Sequence, residues 1–218
     1  MLSAMSSEQS RGALQELLVS SAQDGPAPEG RPRLVGLVGP PGVGKSTVAS
    51  QLAAALPGAV VLPMDGFHLA NAELARLGRA ERKGAPDTFD VDGFVALLAR
   101  IRTGLLRTVY APRFHRELEE SIAGGVVVLP STPDVIVEGN YLLLDSGGWE
   151  HVRPLLDVCW YLEAADDRAR VQRLIDRHVA HGRSRSAATE WVERSDETNA
   201  RIVASTRARA DRVLTLDW

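Results

Sequence analysis

The chain has 218 residues, 44% of them hydrophobic and 24% charged, enough for one α/β domain with a full core. Its 25 Lys and Arg against 28 Asp and Glu leave a net charge of -3, which argues against the pooled basic surface of a nucleic-acid binder. A single cysteine, Cys159, leaves no disulfide framework, no apolar run reaches transmembrane length, and the start MLSAMSSEQSRGA lacks a secretory hydrophobic region, so a cytoplasmic protein is expected.

In chain order, Leu14, Leu17 and Leu18 are spaced for a short amphipathic helix within residues 6–20, and the proline- and glycine-containing stretch 21–33 reads as a linker. Residues 1–32 are therefore set apart from a core domain over 33–218. The apolar run Leu34–Val38 predicts a buried strand, and Thr47–Leu56, stopped by Pro57-Gly58, predicts a helix. Between them lies GPPGVGKS, residues 39–46, which fits G-x-x-x-x-G-K-[ST] in the strand–turn–helix context that makes this pattern a phosphate site. Gly39, Pro40, Pro41, Gly42, Val43, Gly44, Lys45, Ser46 and Thr47 form the expected cradle for nucleotide phosphates. Lys45 is expected to reach the terminal phosphates and Ser46 to hold Mg²⁺. Only Lys45 and Lys83 are lysines among the 25 basic residues, which suggests that position 45 needs a compact point charge instead of a planar fork.

A second strand, Ala59–Pro63, delivers Asp65 at its end, followed by a helix over Leu69–Leu77 and a charged loop over Arg79–Asp90. From position alone Asp65 has two readings: a base that accepts the proton of an attacking hydroxyl, or the N-cap of the helix that follows. Val91–Gly104 reads as a helix with Phe94, Leu97, Leu98 and Ile101 on one face; Thr108–His115 and Gly125–Leu129 read as short extended pieces. The run Asp134–Val137 is a buried parallel strand by composition and ends at Glu138, a metal-associated carboxylate or a buried acid satisfied by backbone N–H groups. Val158–Leu162 is another strand, Asp166–Ala180 and Ala187–Arg209 are helical, and Arg212–Leu216 is a last strand. Strands alternating with helices imply an α/β, P-loop-type doubly wound parallel sheet with helices on both faces, with ligands at the C-terminal strand ends.

Six arginines fall in residues 168–185. Arg173 and Arg177 share a helix face, so this segment reads as a small lid over about 166–186 that closes on phosphates, against the alternative of a solvated helix pairing with Asp166, Asp167 and Asp176. His68, His115, His178 and His181 lack the spacing of a metal site.

The ordered set GPPGVGKS, MDGFHL, RKGAPDTFD, VIVEGNYLLLD and RLIDRHVAHGR resembles the phosphoribulokinase/uridine kinase-like group of P-loop kinases from about Arg33 to Leu216. The pattern with YAPRFHRELEES is most similar to the fructose-transport-associated sugar kinases, with bacterial pantothenate kinase also similar. The resemblance implies Asp65, Lys45, Arg173 and Arg177 as catalytic residues and Ser46 and Glu138 as the metal pair. It implies His68, Lys83, Asp87, Arg113, His115 and Glu138 on the acceptor side. The expected activity is transfer of the γ-phosphoryl of ATP, with Mg²⁺, to a hydroxyl of a sugar-like metabolite. The expected partner is a small-molecule substrate, with no nucleic acid, no membrane and a homodimer left open. Alternatives are a uridine-type nucleoside or pantothenate kinase, a nucleoside-monophosphate kinase, and an accessory nucleotide-binding ATPase. A GTP switch is disfavoured, because neither lysine is preceded by Asn and Asp145-Ser146-Gly147-Gly148 lies past the strand end.

Overall fold

Strand β1 (Arg33–Val38) is buried along its whole length and lies at the centre of a five-stranded sheet. Its neighbours are β2 (Val60–Pro63), β5 (Asp134–Gly139), β6 (Val158–Ala164) and β7 (Arg212–Leu216), in the order β2-β5-β1-β6-β7 with every pairing parallel. The computed structural model describes residues 28–104 and 106–217, so the helix expected within residues 6–20 lies outside the described residues.

Both faces of the sheet are covered, which is why the strands read as continuous apolar runs and not as alternating ones. Leu34, Val38, Val135, Val137 and Tyr161 point to one layer. There they meet Phe94, Leu98 and Ile101 of a helix over Val91–Arg102, whose N-cap is the Asp90 side chain. Val35, Leu37, Ile136, Trp160 and Leu162 point to the other layer, against Val48, Ala49 and Leu52 of helix α1 (Lys45–Ala55). Numbering then continues with α2 (Asn71–Arg76), α3 (Val91–Arg102), α4 (Asp167–Ala180), α5 (Arg185–Trp191) and α6 (Glu197–Ala204). Among the described residues no helix is long and apolar enough to cross a membrane.

The structure differs from the sequence reading in two places. The extended pieces form an antiparallel hairpin, β3 (Val109–His115) with β4 (Glu120–Val128), and β4 starts five residues before the expected Gly125. Ala123, Gly124 and Gly125 fall where the pairing shifts, opposite Pro112 alone, and Gly124 takes a left-handed φ of 75°, so they form a bulge that alternation does not signal. The single helix expected over Ala187–Arg209 is divided into α5, a π-helical turn over Val192–Asp196, α6 and a short turn at Arg207–Arg209. The π turn buries Ser195 and Asp196 and sets Asp196 against His178 at 2.9 Å, a pairing that regular α periodicity does not encode.

The hairpin is pressed onto the turn after β2. A Cβ at Gly66 would clash with the Pro112 carbonyl oxygen and lie 2.7 Å from its carbon. Gly66→Ala should therefore cost about 1–3 kcal/mol, the range for overpacking. Denaturant or thermal unfolding is expected to show the loss, and an unchanged midpoint would mean that the hairpin yields freely.

Candidate active site

Between β1 and α1 the chain curls inward because Gly42 (φ 76°) and Gly44 (φ 105°) occupy the left-handed region. Helix α1 has no side-chain N-cap and no acidic residue in its first turn. Its leading N–H groups and positive dipole end thus lack a compensating anion from the protein, which is the arrangement that holds phosphate. Lys45 Nζ donates to the carbonyls of Gly39 (2.9 Å) and Pro40 (3.1 Å). Solvent reaches part of this side chain, yet the protein packed around it pushes its pKa down to about 8 against the attraction of Glu138 and Asp65.

Pairing of Leu37 with Glu138 puts the end of β5 beside the start of this loop. Ser46 Oγ donates to Glu138 Oε1 at 3.0 Å. Burial, then the Asp65 charge, push Glu138 up to about 7, while Lys45, the Ser46 hydroxyl and Arg116 pull it back. Two oxygen donors at this spacing suit a hard cation. Among the described residues no three His, Cys, Asp or Glu side chains cluster as a metal site. A magnesium ion held by Ser46 and Glu138 would therefore complete its shell with water and phosphate oxygens, as that ion usually does.

These groups open onto a cavity of 1180 Å³. Asp65 enters it from the 3₁₀ turn Met64–Phe67 after β2, and Pro63 pairs with Glu138, so the two carboxylates sit on adjacent strand ends. Asp65 does not cap α2, whose N-cap residue is Ala70 without a side-chain bond. Instead it faces Arg116 at 3.7 Å. His68 stacks between Phe89 (4.1 Å) and Phe114 (4.8 Å), with Nδ1 2.8 Å from the Asp65 carbonyl. Burial pushes its pKa down, favouring the neutral imidazole. Lys83 is pinned at 14% exposure by the Asn71 side chain (2.7 Å) and the Glu119 carbonyl (2.5 Å), and lies over the Phe114 ring.

The arginine-rich segment divides by task. Arg170, 2% exposed, donates to Asp167 (2.6 Å), Glu197 (2.6 Å) and the Pro41 carbonyl (3.0 Å), tying α4 and α6 to the phosphate loop. A Cβ at Gly42 would meet Leu174 at 2.6 Å, so α4 is packed directly against that loop. Arg173 and Arg177, one and two turns further on, line the cavity. Burial, then the nearby Arg116, push the Arg177 pKa down.

Of the sequence-derived candidates, Pro41, Gly42, Gly44, Lys45, Ser46, Thr47, Asp65, His68, Lys83, Glu138, Arg173 and Arg177 meet around this one cavity. Gly39 and Pro40 supply the carbonyls that hold Lys45, and the Val43 side chain is buried in the core. Asp87, Arg113 and His115 are not brought to it. Asp87 is exposed and pairs with Arg82 (2.5 Å) and Arg79 (3.4 Å). Arg113 bonds the Gly125 carbonyl across the hairpin, and His115 pairs with Glu120 at the end of β3. Asp145, the aspartate of the disfavoured GTP-switch motif, is tied to Arg209 at 2.5 Å. The cavity also takes in Arg116, Glu119, Asn140, Trp191, Asp196 and Asn199, which sequence reasoning did not single out. Arg116 directly follows β3, the strand that carries the acceptor-side candidates Arg113 and His115, and only the closure of the hairpin reveals its direction.

The raised Glu138 pKa fixes a sign for stability against pH. Its folded value of about 7 lies above the ordinary 4.5, so the folded chain holds a proton that the unfolded chain has released between these limits. This contribution is full below pH 4.5 and lost as pH rises through 7. Without nucleotide or metal, the wild-type thermal midpoint is expected to fall relative to that of Glu138→Gln as pH rises across this window. Parallel profiles would show that the carboxyl is not desolvated.

No family model matches the chain. A Schizosaccharomyces pombe protein described as a candidate uridine kinase is 34% identical over 193 residues, covering 83% of this chain and 82% of that protein. An Aspergillus versicolor protein described as an ATP-dependent kinase-like protein is 32% identical over 164 residues, covering 71% of this chain and 95% of that protein. Among solved structures, one from Silicibacter sp. TM1040, described as a candidate fructose transport system kinase, is 40% identical with a TM-score of 0.82, covering 93% of this chain and 97% of its own. With an uncapped phosphate loop between β1 and α1 and relatives of this identity over most of their length, the chain belongs to the uridine kinase-like P-loop kinases, phosphotransferases with a hydroxyl acceptor.

Proposed function

We propose that this kinase moves the γ-phosphoryl group of ATP to a hydroxyl of a sugar or sugar-like polyol. The observation that carries this reading is the meeting, in one cavity, of the phosphate loop with a carboxylate, Asp65, presented from the neighbouring strand end. The α1 N-terminus and Lys45 bind and orient the phosphates. Asp65 accepts the proton of the acceptor hydroxyl as its oxygen bonds to the γ-phosphorus and the bond to the β-phosphate oxygen breaks, releasing ADP. Arg173 and Arg177 supply positive charge where the transferring group becomes most exposed, with α4 and the turn after it acting as the lid. Mg²⁺, with Ser46 and Glu138 as its protein ligands, would neutralise phosphate charge when bound. A reducing, ATP-containing cytoplasm is the compartment this chemistry needs.

The sugar assignment draws support from the 40% identical relative described as a candidate fructose transport system kinase. Acceptor-dependent ADP release over sugars, polyols, nucleosides and pantothenate tests it. Turnover with nucleosides alone would replace the sugar by a nucleoside.

Two substitutions test the roles. Lys45→Ala is expected to lower turnover by roughly a hundredfold or more, the size of a lost preorganised charge contact. Half-normal activity would remove Lys45 from the phosphates. Asp65→Asn keeps the shape but cannot take the proton, so turnover should fall about a hundredfold to ten-thousandfold while ATP affinity holds. Since Asp65 caps no helix, a near-normal rate would leave it without a role in the site.

A further inference from the structure

The start of α6 holds α4 at two heights. Glu197 accepts from Arg170 at 2.6 Å in the first turn of α4, and its chain neighbour Asp196 accepts from His178 Nε2 at 2.9 Å in the last turn. About 12 Å of helix axis separates the two contacts. The lower one is anchored on the buried Arg170 and continues to the Pro41 carbonyl of the phosphate loop. The upper one borders the cavity, which His178 and Asp196 both line. A π turn, the helix irregularity that recurs at functional sites, presents Asp196 there. Arg177 stands beside His178 in the same last turn. Among the described residues the other polar tie from residues 175–181 to a later helix is Asp176 with Arg185 at 3.3 Å, exposed on both sides and screened by water. Trp191 adds a further hold, since its ring meets His178 edge-on at 6.5 Å and carries the Arg183 guanidinium at 4.0 Å. Burial and then Arg116 push the Arg177 pKa down, and Asp196 leads the acids that pull it back.

Resting on the assignment of Arg177 to the transferring phosphoryl group, we propose that Asp196 is the positioning residue of the lid: through His178 it holds the last turn of α4 and so sets where Arg177 stands during transfer. The two contacts then have separate tasks. Arg170 with Glu197 fixes the foot of the helix to the phosphate loop, which places α4 as a body. His178 with Asp196 fixes its far end, two turns beyond that anchor, where a tilt of the helix moves a side chain most. A displacement of about 1 Å is enough to cost a catalytic group up to a hundredfold in rate. Asp196 acts on the rate through Arg177 and not by contact with either substrate, so its loss appears in turnover and leaves binding nearly unchanged.

The test uses the full chain, with Asp196→Ala, His178→Ala and Arg177→Ala made singly and the first two also combined with the third. ADP release is measured with Mg-ATP and the best acceptor of the sugar, polyol, nucleoside and pantothenate panel. Asp196→Ala and His178→Ala should each lower kcat by about tenfold to a hundredfold and change the KM of ATP and of the acceptor less than about twofold. In the Arg177→Ala background the same two substitutions should change kcat less than about twofold, because the group they position is gone. Asp196→Asn still accepts a hydrogen bond from His178 and should keep more of the wild-type kcat than Asp196→Ala does. Amide hydrogen exchange gives a readout that needs no turnover: Asp196→Ala should speed exchange by about tenfold or more over residues 177–183 and leave residues 167–174, held by Arg170, unchanged. Losses that add in full to that of Arg177→Ala overturn the proposal. So does a raised acceptor KM as the main effect, which would put Asp196 on the acceptor. Exchange that is unchanged at 177–183, or equally faster throughout α4 and α6 in the Ala and Asn variants alike, makes the pair an ordinary structural contact. Each of these overturns this inference alone, whereas normal turnover of Arg177→Ala, or none in the wild type, is the failure of the reading beneath it and takes the inference with it.

Discussion

Burial sets the terms for both charged groups at the base of the site. Lys45 is pushed down to about 8 and Glu138 up to about 7, each toward its neutral form and each held partly charged by the other. The attraction between them only offsets the cost of taking them from water. Such a pair adds little to stability, and its arrangement makes sense when further charge arrives: phosphate for the lysine and a cation for the carboxylate. The parallel register fixes this arrangement. Leu37 opposite Glu138 and Pro63 opposite Glu138 bring the phosphate loop, the metal-suited carboxylate and the Asp65 turn to one edge of the sheet. A slip of one residue would turn Glu138 toward the opposite layer.

The two walls above that edge are built differently. On the nucleotide side, α4 is clamped by Arg170 and packed on Gly42, so its cavity-facing arginines are positioned by a buried network. The Gly84 carbonyl accepts from both Tyr141 (2.5 Å) and Asn199 (3.3 Å), which ties the Lys83 loop to the sheet and to α6. On the acceptor side the wall is a two-stranded ribbon held to the rest largely through the Gly66 contact and its buried residues Val109, Ala111, Val126 and Val128. One wall is knit into the domain by a buried network, and the other is a ribbon anchored at its base by those buried residues and near its tip by Lys83 and Asn71 on the Glu119 carbonyl.

The sheet was legible because strands buried on both faces leave continuous apolar runs, and the phosphate loop because glycine, lysine and serine at fixed offsets have few other uses. Leu34–Val38, Asp134–Val137 and Arg212–Leu216 fall within or match the observed strands. The hairpin was only half legible, since Ala123-Gly124-Gly125 carry no strand propensity and form the bulge where the pairing shifts register. The π turn at Val192–Asp196 was invisible, as an additional residue in one turn leaves helical composition unchanged. Both failures bear on the cavity, for they decide where Arg116, Trp191 and Asp196 face. Asp87, Arg113 and His115 sit in the right stretches, but side-chain direction at a turn or bulge depends on geometry that spacing does not carry.

The pairing of β3 with β4 shifts register between Ala111 and Arg113, at Pro112, which has no N–H to give the ladder. Every residue from there to the turn takes its direction from that irregularity. Point substitutions in the ribbon change what a side chain offers, whereas gaining or losing one residue beyond Pro112 exchanges the inward and outward sets wholesale. Relatives of this chain could therefore diverge in what they phosphorylate through changes in ribbon length, leaving the phosphate loop and the sheet beneath it untouched.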